Sequence, residues 1–102
     1  MIFTKDEKEL RDVYARLLIE YGKQDERICI VESDLMRSGG TMPFSKEFPH
    51  RTFDAGIAEA DMMCIASGLF YMGKIPFTHT FCVFASRRCL DQIEQSVAYA
   101  KQ

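Results

Sequence analysis

Phe53 to Leu69 reads FDAGIAEADMMCIASGL, and the reading of this stretch decides the fold. Arg51 to Phe53 has the character of a short strand. Gly56 permits the tight backbone turn that carries a chain from a strand into a helix. From about Ile57 to Met72 the residues are mostly apolar and helix-compatible, and Gly73 supplies a stop. Lys74 to Thr80 then reads as another strand, with Pro76 near its start, where a missing N–H is tolerated. Strand, helix and strand in immediate succession imply a βαβ unit and a parallel sheet.

Working outward, Thr4 with Glu7 three residues later fits a capping box. Leu10, Val13, Tyr14, Leu17, Leu18 and Tyr21 follow at helical spacing, a core-facing stripe that Gly22 would end. Arg27 to Val31 (RICIV) has the β-branched character of a buried strand. It leads into Glu32-Ser33-Asp34-Leu35 and a loop containing Ser38, Gly39, Gly40 and Pro43, with a helical turn expected at Phe44 to Phe48. Phe84 to Lys101 reads as a last helix. The expected fold is α/β, a parallel sheet of three strands in chain order flanked by helices, with right-handed crossovers. So small a sheet under two long helices makes a thin core. The chain, 1–102, therefore reads as the N-terminal part of a larger unit, and its open edge and apolar face favour self-association.

Composition narrows the function. A net charge of −2 offers no basic surface for nucleic acid. No apolar run approaches the roughly 20 residues of a membrane span. MIFTKDEKEL carries acids at once and is no secretory signal, so a cytoplasmic protein is expected. Cys29, Cys64, Cys82 and Cys89 form no CxxC pair, and ICIV, MMCIA and TFCVF suggest core-filling thiols. His50 and His79 lack ligand-like spacing with them, so no protein-only metal site is expected.

Glu59 stands at the start of an apolar helix just beyond a strand end, and Thr80-Phe81-x-x-Phe84 closes the next strand. Together they can present one partly buried carboxylate and two aromatic faces to a flat, nitrogen-containing ring. Each residue also has a plainer role. Glu59 suits a helix first turn through the helix dipole, and Phe81 and Phe84 suit core packing. Asp34 and Ser38 suit local turn chemistry, although they lie at a strand's C-terminal end, where open α/β sheets bind ligands. His79 reads as a strand residue.

The ordered set of motifs resembles the pyrimidine-binding domain of transketolase, in the form of the C-terminal section of a split transketolase, cut short at residue 102. Glu32-Ser33-Asp34-Leu35 through Ser38 resembles the family's acidic "DL" loop, and FSKEFPHRTF (44–53) its "FAKEFPDRF" approach segment. Gly56-Ile57-Ala58-Glu59, Gly68, Gly73, Pro76-Phe77, Thr80-Phe81-x-x-Phe84 and Arg88-x-x-Asp91-Gln92-Ile93 continue the match. Arg87 departs from it, standing where the family usually has a small residue, and no Gly-Asp-Gly motif of the diphosphate-binding half occurs.

The resemblance implies thiamine diphosphate as cofactor, with magnesium held by a partner domain, and two-carbon ketol transfer between sugar phosphates. It implies that Glu59 is catalytic, its carboxyl hydrogen-bonded to the pyrimidine ring nitrogen. Apolar neighbours such as Ile57 and Met62 should raise its pKa by desolvation. By the same resemblance Asp34, Phe81 and Phe84 bind cofactor and Ser38 contacts a sugar phosphate. Arg88, Asp91 and Gln92 suit subunit contacts as well as substrate. The partners implied are a diphosphate-binding transketolase subunit and further copies of the chain, which alone should be inactive. The alternatives are a non-catalytic remnant or assembly module of the same fold, or part of a 1-deoxyxylulose-5-phosphate synthase-like enzyme.

Overall fold

A computed structural model describes residues 1–102. Helix α1 (Leu10–Gln24) leads to strand β1 (Ile28–Glu32), short helices α2 (Met36–Gly39) and α3 (Met42–Glu47), and a 3-10 turn at Pro49–Arg51. Strand β2 (Thr52–Asp54), helix α4 (Glu59–Tyr71) and strand β3 (Ile75–His79) follow. The C-terminal segment is π-helical at Phe84–Arg88 and Ile93–Ala98, with an α-helical turn, α5 (Leu90–Gln92), between.

All three strands are parallel, as expected, but their order is β2-β1-β3 and not chain order. The reason lies in β1. Every residue of ICIVE is buried, and the most apolar strand gains most from neighbours on both edges and layers on both faces. Alternation then sorts the core. Ile28 and Ile30 join Leu18 and Phe44 beneath α1 and α3, while Val31 joins Met62, Met63, Ala66 and Cys89 beneath α4 and the C-terminal segment.

Several local expectations are corrected. The Thr4/Glu7 capping box does not form: α1 starts at Leu10 with no side-chain cap. The Asp6 carboxylate instead accepts from the Lys8 amide at 3.1 Å, a local turn that competes with an earlier helical start. Gly22 does not end α1, which runs to Gln24. It is buried where the Phe44 and Phe48 rings press in, each 3.0 Å from where a Cβ would stand. Leu10 and Tyr21 of the expected core stripe are exposed, and the helix buries Ala15, Leu18 and Gly22. Cys64 and Cys82 are exposed, whereas Cys29 and Cys89 fill core. Gly56 and Gly73 do take positive φ, 73° and 83°, bracketing α4 as the turn chemistry requires.

Candidate functional site

Parallel strands deliver their loops to one end of the sheet, so residues following β1, β2 and β3 gather there. Asp54, ending β2, accepts hydrogen bonds from the Asp34 amide at 2.9 Å and the Gly56 amide at 2.8 Å. This one carboxylate fixes the loop after β1 against the loop before α4 and holds Asp34 at a φ of 58°. Asp34 and Ser38 do come together, lining a cleft of about 270 Å³ with Met36, Arg37 and Met42.

Glu59 opens α4 and is only 5% exposed. Arg88 reaches its carboxylate from the C-terminal segment, with Nη1 3.2 Å from Oε2 and 3.4 Å from Oε1. The same guanidinium lies over the Phe84 ring, 3.9 Å from its centroid, and Phe81 packs against Phe84 at 6.0 Å. Phe81 remains exposed. The Thr80 hydroxyl is buried nearby without a well-formed hydrogen bond.

The expected rise of the Glu59 pKa is overturned. Its carboxyl is held below the ordinary value, chiefly by its own backbone amide at the open first turn of α4. The Arg88 guanidinium adds to this, and desolvation opposes without prevailing. A free helix N-terminus and a cation outweigh apolar neighbours. Ile57, expected to help desolvate the carboxyl, is itself exposed.

Arg88 is the residue to which sequence reasoning gives no definite place. The available signal is spacing: four positions after Phe84, one helical turn on, a cation can return over that ring. Arg87, the departure near the pocket, is exposed and makes no ion pair. Asp34 and Ser38 share no hydrogen bond with the Glu59 group, so the five anticipated residues fall into two clusters at one end of the sheet.

Comparison with known proteins is consistent with this geometry. The family described as "Transketolase, pyrimidine binding domain" matches residues 6–102. The 6-deoxy-6-sulfo-D-fructose transketolase subunit of Clostridium sp. (strain MSTE9) is 52% identical over 93% of this chain and 30% of its own length. A putative transketolase C-terminal section from Methanocaldococcus jannaschii is 45% identical over 92% of this chain and 30% of its own. A solved structure, "Split gene transketolase, inactive beta4 tetramer", superposes with a TM-score of 0.80 at 43% identity, over 89% of this chain and 30% of that one. The chain thus spans about 30% of the length of these relatives.

Proposed function

The chain belongs to the transketolase pyrimidine-binding domain family, and from that premise we propose that it is the N-terminal part of such a domain, forming the pyrimidine side of a thiamine-diphosphate site for two-carbon ketol transfer between sugar phosphates. The diphosphate and magnesium side comes from a separate diphosphate-binding subunit, and copies of this chain associate with one another. Alone, the chain is inactive. The solved split-gene relative, described as an inactive tetramer, accords with that reading.

One observation carries the proposal. The Arg88 guanidinium, a flat nitrogen-bearing cation, stacks on Phe84 while donating to the buried Glu59 carboxylate. It stands in for the N–H edge and π-face of a protonated aminopyrimidine, so these residues fit such a ring. Thiamine diphosphate, when bound, supplies a thiazolium carbon that becomes a nucleophile after losing a proton. Glu59 holds a proton at the pyrimidine ring nitrogen and thereby favours the basic tautomer of the ring's amino group. Phe81 and Phe84 flank the ring. Arg88 must swing aside, which also frees Glu59 from the cation that keeps it ionised. Asp34 helps position the cofactor and Ser38 meets a substrate phosphate.

A 1-deoxy-D-xylulose-5-phosphate synthase role is the second reading, since proteins of that name are 33–41% identical to this chain. The higher identity to transketolase sections favours the first. The test is Glu59→Gln in the complex with a diphosphate-side subunit. Hydrogen–deuterium exchange at the thiazolium carbon should fall by roughly 10²–10⁴-fold, the range of general acid–base effects, while cofactor binding weakens only modestly. Exchange equal to wild type would remove Glu59 from the chemistry. A wild-type complex that neither exchanges nor transfers would leave the chain an assembly module.

A further inference from the structure

Strand register builds a second carboxylate pair, beneath α1. Glu32 stands opposite His79 across the β1–β3 ladder, so their side chains lie next to each other on one face. Glu32 is fully buried and ends β1, from which the loop bearing Asp34 and Ser38 departs. At the far end of that loop the Thr41 hydroxyl donates to Glu32 Oε1. One carboxylate therefore closes the loop, covalently at its start and by a hydrogen bond at its finish. The other oxygen, Oε2, faces His79 Nδ1 at 3.5 Å, and neither atom has a formed hydrogen bond. The imidazole in turn stacks on Tyr14 at 5.9 Å and lies against Gly39 in the loop, where a Cβ would come within 1.9 Å of Cε1. Arg11 adds a longer contact, donating to the Ser38 carbonyl at 3.4 Å.

We propose that Glu32 and His79 form a proton-dependent clasp that positions the loop bearing Asp34 and Ser38; its consequence for ligand binding rests on the function proposed above. With the imidazole protonated, the enclosed carboxylate has a cation beside it. Glu32 then holds Thr41 while the ring backs Gly39. Without that proton Glu32 keeps the Thr41 hydroxyl alone, and an enclosed carboxylate that has lost its cation is costly. The relief available is movement. Contacts run in a chain from Thr41 through Glu32 and His79 to Gly39, so none of the four can shift alone. The titratable and charged groups facing the imidazole are Glu32 from β1 and Tyr14 and Arg11 from α1, with Glu9 paired to Arg11 at 2.6 Å. Glu32 holds the His79 pKa above its ordinary value against the opposing effect of burial, so the change falls on the alkaline side of the usual imidazole range. Burial, and after it the Glu32 charge, raises the Tyr14 pKa from an already alkaline value, which keeps Tyr14 neutral there.

The test uses the chain alone and needs neither cofactor nor partner subunit. His79 and His50 are the only histidines, so Cε1–H resonances give the His79 midpoint by NMR, with His50→Gln for assignment. Amide hydrogen exchange is followed on the same samples at Gly39 and Thr41, which donate to the Leu35 and Met36 carbonyls within the loop. Met62, which donates to the Ala58 carbonyl at the start of α4, is the reference on the other face. After correction for the intrinsic pH dependence of exchange, protection at Gly39 and Thr41 should fall severalfold through the His79 midpoint. Met62 should change less. In His79→Gln, which carries no charge, the fall should vanish while the amide spectrum remains folded. Loop protection that stays constant through the wild-type midpoint overturns the clasp, and no variant is needed to see it. A fall shared equally by Met62 also overturns it, since the proton would then stabilise the whole fold and not the loop. The complex with a diphosphate-side subunit separates the clasp from the function. If the loop amides follow His79 but the pH profile of the sugar-phosphate KM has the same shape as in His79→Gln, the clasp stands and Ser38 loses its substrate role.

Discussion

The two faces of the sheet end alike and are built differently. Each finishes, at the C-terminal end of the strands, in a carboxylate beside a nitrogen group: Glu32 with His79 under α1, and Glu59, which opens α4, with Arg88. Beneath α1 the pair follows from strand register, and its carboxylate is fully enclosed. The packing behind it is aromatic and close. Phe44 and Phe48 meet at 4.9 Å and press on Gly22. Arg51 donates to the carbonyls of Gly22, Asp25 and Ile28 while its guanidinium covers Phe48 at 3.7 Å. Beneath α4 the core is methionine and alanine, closed by a segment in π-helical turns, and the cation is half exposed. One face is a scaffold and the other is adaptable. On the function proposed above, that face carries Arg88, the side chain that would move for a ring to reach Glu59.

The sharpest way to break this contrast is to empty both cores. Phe44→Ala should cost about 3–5 kcal/mol, because its ring is fully buried and closely surrounded. Met62→Ala, also fully buried but in the softer core, should cost less, toward the lower end of about 2–5 kcal/mol, because its neighbours can close on the gap. Urea midpoints of the two variants measure the difference, and equal losses would mean that the faces are equally rigid.

Arg51→Ala comes next. It leaves three carbonyls without their charged donor and uncovers Phe48, for a loss of about 2–3 kcal/mol on the same urea curves. Arg51→Lys should recover little, since one ammonium cannot span that set of acceptors and lie flat on a ring.

Arg51 also shows what the sequence could reveal. The βαβ order, the parallel sheet, the helix after Gly56 and its stop at Gly73 were legible because β-branched runs and glycines at positive φ are local signals. Arg51, read as the first residue of a strand, gave no sign of capping α1, because its acceptors are backbone atoms more than twenty positions away. The central place of β1 was likewise hidden, since strand order depends on which strand gains most from two neighbours. In the candidate site, the helix start marks Glu59 and the Phe-x-x-Phe spacing marks Phe84, and the structure brings the two together through Arg88. The depressed Glu59 pKa was not legible. It depends on a free helix end and on Arg88, 29 residues away. In the sequence His79 is a plain strand residue, and only the β1–β3 register reveals that it sits opposite a buried carboxylate.

A smaller effect separates the two pairs by pH. The folded His79 pKa is raised above its ordinary 6.5, principally by Glu32. The associated stability is therefore fully present below about 6.5 and is lost as pH rises through the higher folded value. Urea midpoints should fall across that window in wild type and stay flat in His79→Gln. A midpoint that instead rises with pH there would show that the imidazole is held neutral.

The smallest effect on folding is expected from Arg88→Ala, and it sharpens the contrast most. The guanidinium is half exposed although its carboxylate is buried, so its removal should lower the urea midpoint at neutral pH only by the part of the Glu59 stabilisation that Arg88 supplies, less than in Arg51→Ala. Its effect should appear at Glu59. With Arg88 gone, the carboxyl keeps its own helix-start amide but loses the adjacent cation, and desolvation is opposed by less. The Glu59 carboxyl titration, followed by carbon NMR, should move upward while remaining below that of an exposed glutamate. The sign for stability follows. A depressed carboxyl contributes stability above its unfolded pKa that is lost as pH falls through the folded one, so the variant should also be less sensitive to acid. If Glu59 titrates unchanged in Arg88→Ala, the helix start alone holds it ionised, and displacing Arg88 would not free the carboxyl to share a proton with a ring.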